Sequence, residues 1–259
     1  MENTAEQDRL LLARVEDAAR LCAQKAAPRF VGFLDERQAA LCLPAARRTG
    51  EGFRLYGGYD DAERTVLGFL PDWCQEPESE AAAELFPVAP VTVTWRADRT
   101  TRPLTHRDFL GTLMGLGIKR ESVGDILVGE GTAVLFLLQD VQPYVLSQLQ
   151  KVGGAGVAVS QGRPAELPGT RDFLEITDTV ASPRLDAVAA VLMRTGRGRA
   201  EEAIAAGLVH LGGLPCDKGA KTVLPGTVIK IRGTGKFIID GLSDRTKKGR
   251  LVLRARKYQ

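Results

Sequence analysis

Hydrophobic spacing along this chain switches repeatedly between the 3.6-residue period of a helix and the two-residue period of a strand, and the switches divide it into three segments. In residues 4–26, Leu10, Leu11, Ala13, Val15, Ala18, Leu21 and Cys22 form one apolar stripe, which predicts a helix. Residues 29–34 follow as a short strand, and Asp35 can cap a second helix carrying Ala39, Leu41, Cys42 and Leu43. Residues 53–56 and 65–69 alternate as a hairpin around the polar turn 57–63. Together these predict a small α/β domain over residues 1–86. The Glu-, Pro- and Ala-rich stretch 71–90 reads as partly linker.

Residues 91–160 follow a β-α-β-β-α-β pattern. Val91 to Trp95 alternate as a strand, and a helix over 106–114 ends at Gly115-Leu116-Gly117. Residues 125–128 and 133–138 pair across Gly129-Glu130-Gly131, a second helix spans 141–152, and 157–159 is the last strand. This order is that of a ferredoxin-like sheet, the architecture also used by RNA-recognition-motif domains. Such domains stack bases on aromatics of their first and third strands. Here those strands offer Trp95 and Phe136 only, so packing competes with base stacking for both rings.

The last segment starts with Ser182 and Pro183, which suit an N-cap and a first helical residue. Leu185, Val188, Ala189 and Leu192 continue at helical spacing, and Gly196 and Gly198 break that helix. A second helix is predicted over 199–206, with Ala203 and Ile204 inward and Gly207 as its left-handed cap. Residues 208–211, a Gly212-Gly213 turn, and strands over 227–232 and 236–240 joined by Gly233-Thr234-Gly235 complete a small sheet. Residues 250–257 alternate as one more strand, with Arg250, Arg254 and Arg256 on one side; a disordered basic tail is the other reading of this stretch.

Charge sharpens this picture. The net charge of +3 hides an asymmetry: residues 183–259 hold 16 Lys+Arg against 6 Asp+Glu, or +10, and the other 182 residues hold 19 against 26, or −7. Residues 1–86 alone carry 10 basic and 16 acidic side chains. A concentrated cationic segment on an acidic body suits release of counterions from a phosphate backbone. Apolar content of 44% and charged content of 26% are those of a soluble globular chain. No apolar run approaches the roughly 20 residues of a membrane span, and no secretory signal pattern opens the sequence. Cys22, Cys42, Cys74 and Cys216 are far apart, with no C-x-x-C and no nearby His, which favours reduced thiols in a cytosolic protein over a zinc site.

Arg184-Leu185-Asp186, Arg199, Gly207-Leu208-Val209, Gly213 and Pro225-Gly226 before Val228-Ile229 resemble the S4 RNA-binding domain. Three positions depart from that pattern: Gly198 replaces a Ser, Gly212 an Asn and Thr227 an Asp. The resemblance implies a helix pair serving as a platform for structured RNA. A second resemblance rests on Arg107-Asp108-Phe109-Leu110-Gly111, on Gly115 to Glu121, and on Val123-Gly124-Asp125-Ile126. With the S4-like segment, these resemble the YlmH-like family of bacterial S4-domain proteins. That resemblance implies a cytoplasmic, ribosome-associated protein, with RNA (rRNA or tRNA) and the large ribosomal subunit as partners, acting in the rescue of stalled ribosomes.

The fold expected is therefore α+β in three small domains: an N-terminal α/β domain over 1–86, a ferredoxin-like (RRM-like) domain over 87–165 and an S4 domain with a basic last strand over 180–259. Arg184, Arg194, Arg197, Arg199, Lys218, Lys221, Lys230, Arg232, Lys247 and Lys248 are its candidate RNA contacts. Lys119 and Arg120, beside the glycine-rich helix end, either clamp a further phosphate or complement the helix dipole.

No catalytic residue, metal or cofactor is expected, and the protein reads as a monomer with no membrane or small-molecule partner. Arg184-Leu185-Asp186 also resembles the triplet around the catalytic Asp of pseudouridine synthases, so an RNA-modifying enzyme or accessory is the alternative. Only 73 residues follow Asp186, and the S4 pattern already uses them. His106 and His210 stand in no nucleophile context, and the glycines form no phosphate-loop or dinucleotide fingerprint. A cell-division-linked interaction module is a third reading.

Overall fold

The computed structural model describes residues 2–74, 76, 78–96, 102–169, 173–246 and 249–258. The chain forms a mixture of helices and antiparallel sheets in two compact units, residues 1–170 and 171–259.

In the first unit, α1 (Glu2–Lys25) and α2 (Glu36–Thr49) cover one face of a three-stranded sheet of β1 (Arg29–Leu34), β3 (Thr65–Leu70) and β2 (Gly52–Tyr56), in that order. Asp35 caps α2 as its sequence position predicts. Its carboxylate accepts the Gln38 N–H at 2.8 Å, and the Gln38 side-chain oxygen accepts the Asp35 N–H at 2.9 Å. Val15, Cys22, Cys42, Ala46, Leu67 and Phe69 are buried between helices and sheet.

The stretch 71–90 differs from the linker expected of its composition. Ser79 caps a short helix, α3 (Glu80–Glu84), the Trp73 indole donates to the Ala26 carbonyl, and the Phe86 ring is buried beside Phe30 and Tyr56. Burial of Phe86 and the Trp73 hydrogen bond outweigh the local polarity.

The chain continues through β4 (Val88–Thr94), α4 (His106–Gly115), a 3-10 turn at Arg120–Ser122, β5 (Val123–Val128), β6 (Thr132–Leu138), α5 (Gln142–Gln148), a ribbon of β7 (Lys151–Val152) and β8 (Ala155–Gly156), and β9 (Ala158–Gln161). The sheet order β5-β6-β4-β9 places the first and third strands of the β-α-β-β-α-β unit at the centre, as the ferredoxin-like pattern requires. The second helix ends earlier than its apolar spacing suggests, because Leu149 is extended and a turn at Gly153 (φ +58°) folds 151–156 into the ribbon.

Alternation along β6 decides how this unit is layered. Ala133, Leu135 and Leu137 face α4 and α5, whereas Val134 and Phe136 join Phe33, Val66, Leu70 and Phe86 from the three-stranded sheet and the segment after it. The two sheets thus share an apolar layer inside one unit.

A buried carboxylate ties that layer together. Asp125, in a bulge of β5, accepts from the Tyr59 hydroxyl at 2.7 Å and from the Glu63 and Arg64 amides at 2.7 and 3.1 Å. The Arg64 guanidinium donates to the carbonyls of Val123 and Phe33, and burial pushes it down to about 10. The stretch 57–63 is therefore anchored to β5 rather than being a free polar turn. Gly124 permits the close approach: a Cβ there would sit 2.6 Å from the Phe33 ring.

The second unit holds one six-stranded sheet, ordered β10-β15-β14-β13-β11-β12, with α6 (Leu185–Leu192) and α7 (Arg197–Ala205) on one face. The strands are β10 (Phe173–Val180), β11 (Val209–Leu211), β12 (Leu214–Pro215), β13 (Val228–Ile231), β14 (Gly235–Arg245) and β15 (Leu251–Tyr258). Leu185, Val188, Ile204, Ile229, Phe237, Ile239 and Leu253 fill the core. Gly207 has φ +69°, the left-handed conformation expected after the second helix.

Three features differ from the sequence expectations. Helix α6 begins two residues late, with Arg184 rather than Ser182 at its N-cap. Helix α7 begins two residues early, at Arg197, with Gly198 inside its first turn. The basic last strand is interior rather than terminal: β15 pairs with β14 on one side and, from Phe173↔Tyr258 to Val180↔Leu251, with β10 on the other.

The β10–β15 pairing sets where an autonomous C-terminal fragment must begin. A fragment starting near residue 168 is expected to unfold cooperatively in urea. One starting at 181 lacks β10, bares the β15 edge and loses Ile176 and Val180 from the core, and should lose about 2–4 kcal/mol.

Candidate nucleic-acid interface

The start of α6 is held from outside the helix. Pro183 accepts the Val223 N–H at 2.7 Å, the Leu185 N–H reaches the Lys221 carbonyl at 2.8 Å, and the Asp186 N–H reaches the Gly219 carbonyl at 3.0 Å. A helix leaves its first four N–H groups unpaired, and here loop 217–223 supplies carbonyls to two residues of that end. This lashing also explains the late helix start, since Arg184 is drawn into an antiparallel bridge with Thr222. Those two amides are consequently not available to a phosphate, and charge at this end comes from side chains.

The side chains are organised by Asp186, which is 1% exposed. Arg184 donates to its carboxylate through Nε and Nη2, the latter at 2.7 Å, and Arg197 donates through Nη2 at 2.8 Å. Burial by itself would raise the Asp186 carboxyl, but the hydrogen bonds from Arg184 and Arg197 outweigh it and hold the group below the usual carboxylate range. The arginine side chains remain 42% and 52% exposed, so each is anchored at one edge and wet at another. Arg197 also approaches Glu201 at 3.4 Å, so the surface is cationic but not purely so.

The sequence-derived candidates separate into groups. Arg184 and Arg197 meet at Asp186, and exposed Lys218 and Lys221 stand on the loop that fastens the same helix end. Arg199 is exposed in the first turn of α7. Arg194 is at the opposite end of α6, in a left-handed conformation (φ +51°) that closes the helix. Lys230 lies on β13, on the sheet face away from the helices, and Arg232 is in the turn that follows. Lys247 and Lys248 lie outside the described residues.

The side chains of Lys119 and Arg120 part. Lys119 is exposed at the 3-10 turn, whereas Arg120 turns inward, half-buried, and donates to the Val123 carbonyl. The preceding glycines end α4: Gly117, at φ +79°, donates to the Met114 carbonyl, and the Ile118 N–H to that of Leu113. Lys119 borders a groove of about 840 Å³ together with Arg14, Arg29, Asp17, Glu121 and Tyr144, a rim of mixed charge.

Both candidate rings of the ferredoxin-like sheet are engaged in packing. Phe136 is fully buried and stacks on Tyr59 at 4.9 Å, while Trp95 packs against Phe109 at 5.6 Å. On the side opposite the helices, Val134 and Phe136 of β6 lie against the three-stranded sheet, whereas Thr94 of β4 and Ser160 of β9 stay exposed. Among the described residues, no group of three or more His, Cys, Asp or Glu stands ready to hold a metal ion. No helix there is long and apolar enough to cross a membrane.

Sequence reasoning missed what Asp186 does, since its partner Arg197 is 11 residues away and only the fold joins them. It also left Phe173, Lys236 and Tyr258 aside. The alternation of 173–180, with Phe173, Glu175, Thr177 and Thr179 on one side, was the signal available for β10.

Known proteins resemble this chain in sequence and in fold. Residues 96–166 match the family described as "Putative RNA-binding domain in YlmH". The ribosome-associated protein quality control protein P2 of Bacillus subtilis (strain 168) is 31% identical over 217 residues, covering 83% of this chain and 82% of the relative. The structure of the cell division protein ylmH from Streptococcus pneumoniae shares the fold, with a TM-score of 0.51 at 20% identity, over 61% of this chain and 92% of that one.

The geometry at Asp186 makes stability depend on pH. Because the folded carboxyl titrates below its unfolded value of about 3.9, its contribution is complete above that pH and is lost as pH falls through the folded pKa. Asp186→Asn should therefore cost about 1–3 kcal/mol at pH 7, and the gap to the parent should narrow below about pH 4 in urea titrations. A gap constant down to acid pH would show that the ion pairs contribute nothing.

Proposed function

Since the chain belongs to the YlmH-like family, we propose that it is a non-catalytic RNA-binding protein of the cytoplasm that associates with ribosomes in quality control. In this reading residues 180–259 are an S4 domain that grips structured rRNA or tRNA on the large subunit, residues 1–86 and 87–165 are two further domains, and the protein acts as a monomer. The relative from Bacillus subtilis carries a name of that kind, and its resemblance extends over most of both chains.

The observation that carries the reading is the Arg184–Asp186–Arg197 cluster. One buried carboxylate fixes two half-exposed guanidinium groups beside Lys218 and Lys221. Fixed planar cations lose less rotamer freedom on meeting phosphates than free ones do, and their forked donors match phosphate oxygens. The same geometry favours binding over catalysis at this triplet: the Asp186 carboxylate is enclosed and engaged by both arginines.

A second reading has the middle domain as the RNA reader, because the family description falls on residues 96–166. The β6 side of its sheet face is buried, so contact there would come from the β9 edge, from loops and from Lys119. Comparing residues 1–170 with the whole chain separates the two: the first reading expects weak RNA binding by that acidic fragment, the second near-full affinity.

Arg199 offers a clean test because it is exposed and outside the Asp186 cluster. With a structured ribosomal RNA fragment, Arg199→Ala should lower affinity and reduce the slope of log K against log salt by about one, with little dependence on RNA sequence. Unchanged affinity and slope would remove the helix pair as the RNA platform.

A further inference from the structure

The six-stranded sheet has a second face, turned away from α6 and α7, and its chemistry differs from that of an ordinary solvated sheet. Inward positions are apolar: Ile229, Ile231, Phe237, Ile239, Leu253 and Ala255 are buried under the helices. Register then sends the alternate residues outward together. Lys230 is opposite Lys236, Ile238 opposite Arg256, and Tyr258 opposite Phe173. Lys230 and Arg254 are exposed, while Lys236, Arg256, Phe173 and Tyr258 are half-buried.

Rings and cations interleave on this face. Phe173 and Tyr258 meet edge to face with centroids 5.1 Å apart. The Arg256 guanidinium lies 4.7 Å over the Phe173 ring, and the Lys236 ammonium 5.0 Å over that of Tyr258. Arg256 does not merely drift over its ring. Asp240, on a bulge of β14, takes its Nε at 3.0 Å and its Nη2 at 2.9 Å, so the guanidinium is held from the side and supported from below. About a third of the Arg256 side chain stays exposed.

We propose that this outer sheet face binds single-stranded RNA, a base stacking on the fixed Arg256 guanidinium above Phe173 and phosphates meeting Lys230, Lys236 and Arg254. Guanidinium planes and aromatic rings are the platforms on which unpaired bases stack, with a cationic groove following the backbone. Among the described side chains, the four cations face Glu175 and Asp240 as the carboxylates of the same face, and Asp240 is already engaged by Arg256. The bias therefore suits a polyanion. A duplex cannot use the rings, because its bases are stacked within the helix. The site is separate from the helix pair and uses none of its residues.

The test uses the full-length protein with a labelled single-stranded oligouridylate of about 12 nucleotides, read by fluorescence anisotropy over a salt series. Phe173→Leu with Tyr258→Leu should weaken binding about tenfold without changing the salt slope, since stacking is lost and charge is kept. Arg256→Lys, which keeps the charge and removes the plane, should also weaken it several-fold and guards against a folding defect in the ring variants. Arg199→Ala should lower oligouridylate binding less than the ring variants do. Parent-like affinity in both the ring variants and Arg256→Lys would overturn the proposal, as would a loss in Arg199→Ala equal to theirs. Should structured RNA still bind Arg199→Ala normally while the ring variants lose oligouridylate, the helix-pair reading fails and the sheet site stands.

Discussion

A carboxylate removed from water must be paired, and in this protein that requirement at Asp186 arranges the whole basic end of the C-terminal unit. Two arginines from different helices converge on it, and the loop bearing Lys218 and Lys221 closes over the same helix start through the Gly219 and Lys221 carbonyls. Space is tight enough that a Cβ on Gly219 would lie 3.1 Å from the Asp186 Cβ. The placement of Arg184 and Arg197 is thus a consequence of satisfying one buried anion. Both arginines are half-exposed, which limits what each pair adds to stability while leaving donors for an outside anion.

The first unit obeys the same rule with a different outcome. Asp125 is also buried, but it accepts from a tyrosine hydroxyl and two backbone amides, so it joins chain segments rather than fixing cations at the surface. Arg64 and Arg120 turn their guanidinium groups toward backbone carbonyls in the same region. Cations that look available in the sequence are used to satisfy the interior. The ferredoxin-like sheet accordingly serves packing: Val134 and Phe136, on the face that such sheets use for bases, lie against a second sheet.

This contrast bears on how an RNA-binding role can be divided within the chain. The second unit leaves polar and cationic groups on both sides of its sheet: the helix side carries arginines fixed by a buried acid, and the other side carries arginine and lysine laid over aromatic rings. The first unit spends its aromatic surface internally and is acidic over residues 1–86.

Much of this was legible from residue order alone. The helix stripes, strand alternation, the Asp35 cap, the left-handed Gly207 and the concentration of charge after residue 183 all depend on residues within a few positions of each other, where backbone geometry and cap chemistry act. Pairing partners did not follow from such local rules. The β10–β15 ladder joins Phe173 to Tyr258, Arg197 finds Asp186 across two helices, and Arg120 parts from Lys119 although they are adjacent in sequence. Each outcome was decided by which buried polar group needed a partner and which apolar face needed covering. Those demands arise only when distant segments share one interior, so the tertiary structure alone determined which of the many basic residues face outward together.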